Sequence, residues 1–141
     1  MRASLNPTAV VVAQTAGVSA VGDVHRRFGW IAVGVFAAVG VWGLVLAIAG
    51  REPGRWFWLG FGLATATILT QVLMGVWARQ VDGIDPGNQH FFYGVVILFT
   101  LTFVYIYRSQ MAKRPALAYG LLALFLMGLG LRAIANFGQS F

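Results

Sequence analysis

Phe28 to Gly50, FGWIAVGVFAAVGVWGLVLAIAG, is an apolar run without a charged residue. A helix needs about 20 mostly apolar residues to cross the hydrocarbon core of a bilayer, so this run by itself predicts a membrane-spanning helix. Working outward, Trp56 to Ala78 is a second uncharged run, and Phe91 to Tyr107 and Ala116 to Leu131 are a third and a fourth. The last can extend to Phe137 if Arg132 lies near a headgroup or inside a bundle.

The composition of the 141 residues agrees: 59% are hydrophobic and only 10% charged. A soluble domain carries roughly 25% charged residues, so a soluble globule, a disordered tail and a coiled coil are excluded. The net charge of +6 comes from basic residues at the edges of apolar runs, without the basic stripe that nucleic-acid binding requires. Cysteine is absent, which excludes disulfides, zinc clusters and thiol catalysis.

The connections Arg51 to Arg55, Arg79 to His90 and Arg108 to Pro115 are short and contain Pro53-Gly54, Asp82-Gly83 and Pro86-Gly87. Short connections make consecutive helices antiparallel neighbours. The expected fold is therefore an all-α integral membrane protein, a four-helix up-down-up-down bundle. Its membrane domain is residues 25–137, with hairpins 25–79 and 90–132, preceded by an outer segment 1–24 and followed by a tail 138–141. Within the first segment, Thr8 to Val21 is apolar but too short to span, which suggests a surface or re-entrant stretch or a cleaved signal peptide.

Arg51, Arg55, Arg108, Lys113 and Arg114 fall on one side; Arg2, Arg26, Arg27, Arg79 and Arg132 fall on the other. Counting only loops beyond the helix ends, the first side is cytoplasmic. The expectation is a multi-pass protein of a prokaryotic-type plasma membrane with both termini outside. Trp30, Trp77 and Tyr93 then form an outer aromatic belt, and Trp56, Trp58, Tyr105 and Tyr107 an inner one.

An internal repeat points to chemistry. The first hairpin opens His25-Arg-Arg-Phe-Gly29 and closes Leu73-Met74-Gly75-Val-Trp-Ala-Arg79; the second opens His90-Phe-Phe-Tyr-Gly94 and closes Leu126-Met127-Gly128-Leu-Gly-Leu-Arg132. Two hairpins of the same topology are related by an axis along the membrane normal, which puts the repeated polar residues at one depth. The histidines head the first and third helices, and side chains from facing helices hold cofactors inside bundles. Gly29 and Gly94 lie one turn deeper on the same faces, where a missing side chain admits a flat macrocycle. This pattern describes a b-type haem ligated by His25 and His90, with Arg79 and Arg132 on its propionates. At most one of Arg26 and Arg27 can face that pocket, because neighbouring helix positions point about 100° apart. Gln71 either bonds across helices or caps the pocket. The threonines at 65, 67, 70, 100 and 102 can bond their own helix backbone. The glycines at 34, 40, 43, 60 and 62 are expected packing positions. Each histidine taken alone is also ordinary for a helix end at the headgroups; the repeat is what favours haem.

Val24-His25-Arg26-Arg27-Phe28-Gly29, Ile68-Leu69-Thr70-Gln71-Val72-Leu73-Met74-Gly75 and Gln89-His90-Phe91-Phe92-Tyr93-Gly94, with Gly128-Leu-Gly-Leu-Arg132, resemble a circularly shifted four-helix half of the haem A synthase family. The resemblance covers roughly residues 24 to 137 and implies an outer-side bis-histidine haem at His25 and His90. The family's glutamate before the first histidine and its outer cysteines have no equivalents: Asp23 is the nearest acid and Glu52 lies on the other side. With one histidine pair, a synthase would have to be a homodimer.

Three functions are compatible with these features. One is a small membrane cytochrome passing electrons between a quinone or redox partner protein and an outer acceptor. Another is a homodimeric haem-modifying oxidoreductase of the synthase type. The third is a cofactor-free subunit of a larger, respiratory-type membrane complex.

Overall fold

The computed structural model describes residues 7–81 and 83–141, with residues 7–20 described as backbone alone. Four helices follow one another: α1 (Pro7–Ile48), α2 (Arg55–Gln80), α3 (Asn88–Met111) and α4 (Pro115–Ala135). Each contains a stretch long and apolar enough to cross a membrane, which in α1 is Val21–Ile48.

The ends follow local chemistry. Gly50 adopts φ 65° just past α1, and the Arg51 amide reaches back to the Leu46 carbonyl at 2.9 Å, the left-handed glycine closure of a helix C-terminus. Pro115 opens α4 at its first turn, where its missing N–H costs nothing.

The start of α1 precedes the span, which begins at Val21. Its backbone is continuous helix from Pro7 through His25, because no proline or cluster of turn residues interrupts Thr8 to Val21. His25 therefore lies well inside α1 rather than at its head, whereas His90 does lie in the first turn of α3. At about 1.5 Å per residue, α1 is longer than a bilayer core and extends beyond the span. Arg2 and Asp82 lie outside the described residues.

Packing is uneven. α1 packs most extensively on α4, α2 flanks α1, and α3 flanks α4, while α2 and α3 make at most marginal contact. The α1/α4 seam is built on small residues. A Cβ on Gly43 would lie 2.6 Å from the Gly120 Cα, one on Gly40 would lie 2.6 Å from Leu124, and one on Gly130 would lie 3.0 Å from Val33. Such close backbone approach replaces the hydrophobic drive that helices lack in lipid. Gly60 packs on Val39 and Trp42, whereas Gly34 and Gly62 face open space, so two of the five expected packing glycines do not pack.

Phe36, Phe57 and Leu126 are fully buried at the centre with Ala32, Ala64, Ile68, Ile97 and Ala123. One third of the α1 span is buried (33%) but only 6% of α3: α1 is the axis of the molecule and α3 a flank. The threonines at 65, 67, 70, 100 and 102 all turn their hydroxyls onto carbonyls of their own helices.

Candidate functional site

The histidine end is closed by the α2–α3 connection and the chain after α4. Gly87 takes φ 77°, and a Cβ there would clash with the Gln139 backbone. The Gly138 amide bonds the Pro86 carbonyl at 2.8 Å, and the Gln89 amide bonds the Gln139 carbonyl at 3.2 Å. The Asp85 carboxylate accepts from the Gly87 amide at 3.0 Å. The loop also folds over α1, where Ile84 Cδ1 lies 3.3 Å from the position of a Cβ on Gly22. Residues 138 and 139, expected as tail, thus clasp the loop that leads into α3.

Beneath this clasp the two imidazoles meet. The ring centroids of His25 and His90 are 6.0 Å apart at an interplanar angle of 68°, although one ring comes from α1 and the other from α3. His90 Nδ1 is 2.7 Å from the Ala133 carbonyl on α4. A carbonyl only accepts, so Nδ1 carries the proton and Nε2 keeps its lone pair. The far side of the His90 ring packs edge-on to Phe137, 5.5 Å away.

His25 is held differently. Its ring lies against Gly75 of α2, where a Cβ would come within 3.1 Å of Cε1; the absent side chain is what admits the imidazole. Gln71, one turn away on α2, donates from Nε2 to the His25 carbonyl at 2.6 Å. Two buried polar atoms in this corner have no hydrogen-bond partner: His25 Nδ1 and Gln71 Oε1.

The other expected site residues are distributed around this core. Gly29 is buried, with the Gln71 amide nitrogen 3.0 Å from where its Cβ would stand, while Gly94 faces open space. The Arg79 guanidinium lies over the Phe91 ring at 4.6 Å, which brings the end of α2 to the start of α3. Arg132 is exposed at the end of α4. Arg26 is exposed and paired with Asp23 on its own helix. The cluster is therefore His25, His90, Gly75 and Gln71, with Gly29 behind it, Arg79 at its edge, and Arg26 and Arg132 directed to solvent or headgroups. Sequence reading did not assign Gly75, Phe137 or the Ala133 carbonyl to the site. Gly75 was visible in the repeated Leu-Met-Gly, but a backbone carbonyl carries no sequence signal.

What the structure offers a ligand at this end is two neighbouring imidazoles from α1 and α3. Among the described residues no group of three or more histidine, cysteine or acidic side chains gathers to hold a bare metal ion; two imidazoles are a donor set that would suit a haem iron.

The class that the fold defines, among the described residues, is an all-helical multi-pass membrane protein whose four helices are each long and apolar enough to cross a membrane. No known protein family, curated protein or solved structure matches the chain, so the motif resemblance to haem A synthases stands on its residues alone.

Proposed function

We propose that this chain is a membrane b-type haem protein that carries electrons, built from two repeated hairpins that would each supply one histidine to hold the haem iron. The observation that carries the reading is the 6.0 Å approach of His25 and His90 from two helices that are not sequence neighbours. His90, its Nδ1 proton committed to Ala133, presents Nε2 as a ligand in a fixed orientation, and a bonded Nδ1–H also makes the ring a stronger donor. His25 takes its position from the Gly75 notch and from the Gln71 bond to its carbonyl. Gly94, open on its α3 face, leaves room for a macrocycle edge, and the Arg79 guanidinium, held over Phe91 next to His90, is a charged donor for a propionate. When bound, haem supplies a one-electron iron couple.

The reading does not include synthase chemistry. Among the described residues, Asp23 is paired with Arg26, the Asp85 carboxylate caps Gly87, and Glu52 lies at the opposite end of the molecule, so the carboxylates of Asp23 and Asp85 are engaged elsewhere than on the His25 ring. With the charged connections Arg51 to Arg55 and Arg108 to Arg114 cytoplasmic, the site sits at the outer face of a prokaryotic-type inner membrane, near an outer electron acceptor.

The test is the absorbance spectrum of detergent-purified protein from haem-replete cells. A Soret band with sharp reduced-state bands of a six-coordinate haem is expected, and both H25A and H90A should lose the six-coordinate signature. No Soret band in the parent protein, or an unchanged spectrum in both variants, sinks the reading.

A further inference from the structure

The end of the bundle opposite the histidines holds a second feature. Because α2 and α3 do not pack on one another, a cleft of about 300 Å³ opens between them, lined by Phe61, Leu69, Leu101, Val104 and Tyr119, with Arg108 at one end. From Leu101 to Arg108 it runs roughly 10 Å along α3, at about 1.5 Å per residue. Its floor is a rigid aromatic step in which Tyr119 meets Trp58 and Phe61 edge-on at 4.8 and 5.1 Å. Thr65 also lines it, but its hydroxyl is bonded to the Phe61 carbonyl at 2.9 Å. The walls thus suit a hydrocarbon chain better than a polar head.

The mouth has the opposite chemistry. Arg108 is exposed; it donates one bond to the Tyr105 carbonyl at 2.8 Å and lies over the Tyr105 ring at 4.5 Å. A guanidinium has five N–H donors, so further donors remain for an anion. The same end of the molecule carries Arg51, Arg55, Lys113 and Arg114 against the single acid Glu52. An apolar slot open to the bilayer and ending at a cationic rim is complementary to one molecule class, a lipid with a negative headgroup, and basic pockets between spanning helices bind such headgroups.

We propose that the α2/α3 cleft is a specific site for an anionic phospholipid, one acyl chain lying between α2 and α3 and its phosphate on Arg108. The site does not depend on haem binding.

The experiment uses delipidated full-length protein in a neutral detergent, titrated with phosphatidylglycerol, phosphatidylcholine or inorganic phosphate. Retention is read by native mass spectrometry and protection by thermal unfolding. One phosphatidylglycerol should be retained and should raise the unfolding temperature, with phosphatidylcholine and inorganic phosphate much weaker. R108Q should weaken phosphatidylglycerol about fivefold, the effect of one basic residue at an anionic headgroup, and R108K should restore most of it. L69W, a change at a partly exposed wall position, should block retention while helicity stays as in the parent. Equal retention of phosphatidylcholine overturns the headgroup assignment, and equal protection by inorganic phosphate overturns the acyl slot. Unchanged binding in both R108Q and L69W overturns the site, as does cleft-to-cleft cross-linking of two copies in the presence of the lipid.

Discussion

The two hairpins carry the same motifs and use them differently. Aligned on His25 and His90 and on Gly75 and Gly128, the seam residues Gly40 and Gly43 of α1 correspond to Tyr105 and Arg108 of α3, and Gly120 and Leu124 of α4 correspond to Thr67 and Gln71 of α2. Small residues let α1 and α4 touch backbone to backbone. Larger residues stand at the equivalent positions of α2 and α3, and these two helices make at most marginal contact. A sequence two-fold thus becomes a lopsided bundle with one closed seam and one open cleft. The histidines escape this asymmetry because they lie at the far end, yet their supports differ: the His25 ring rests on Gly75, while Gly128 faces open space and His90 leans on Ala133 and Phe137.

The comparison breaks most severely at the seam. Gly43→Leu or Gly120→Leu should destabilise the protein by about 3 kcal/mol or more, since a side chain there meets backbone that cannot yield. Thr67→Leu, at the register equivalent of Gly120, should stay within about 0.5 kcal/mol. Denaturant unfolding in mixed micelles measures both, and similar losses for the two would remove the asymmetry argument. The next effect separates the two repeat glycines. Gly75→Ala should cost about 1.5 kcal/mol by pushing on the His25 ring and should broaden or shift the haem bands, whereas Gly128→Ala should be neutral or slightly stabilising. Gln71→Leu gives hairpin one the residue of hairpin two; losing the bond to the His25 carbonyl should cost about 1 kcal/mol with haem retained. Smallest is the arginine pair. Arg79→Gln removes a guanidinium from the Phe91 ring and should cost about 0.5 kcal/mol, and Arg132→Gln, exposed, should leave unfolding unchanged.

Helix number and class were legible because uncharged runs such as Phe28 to Gly50 leave no other environment in which the backbone can be satisfied. The histidine pairing was legible through the repeat, which fixes relative depth without any contact information. What was not legible is which neighbour each helix prefers. Short loops suggested that every consecutive pair would pack, but in lipid the preference is decided by where small residues on two helices coincide in height, and Gly43 meets Gly120 only once the tilt of both is known. For the same reason Gly29, expected to face a macrocycle, is packed by Gln71, and Gly34 and Gly62 face outward. That α1 begins already at Pro7 was not legible, because a short apolar stretch too brief to span can still be the continuation of a helix that does.

The glycine contact between α1 and α4 also fixes an order of events in biosynthesis. α1 leaves the ribosome well before Gly120 exists, so its Gly40–Gly43 face enters the membrane without the partner it was shaped for. The first hairpin must wait in lipid while α3 inserts, and the α1/α4 seam cannot close before α4 is made. A chain stalled before Pro115 would hold three apolar helices and none of this seam, leaving the Gly40–Gly43 face unmatched.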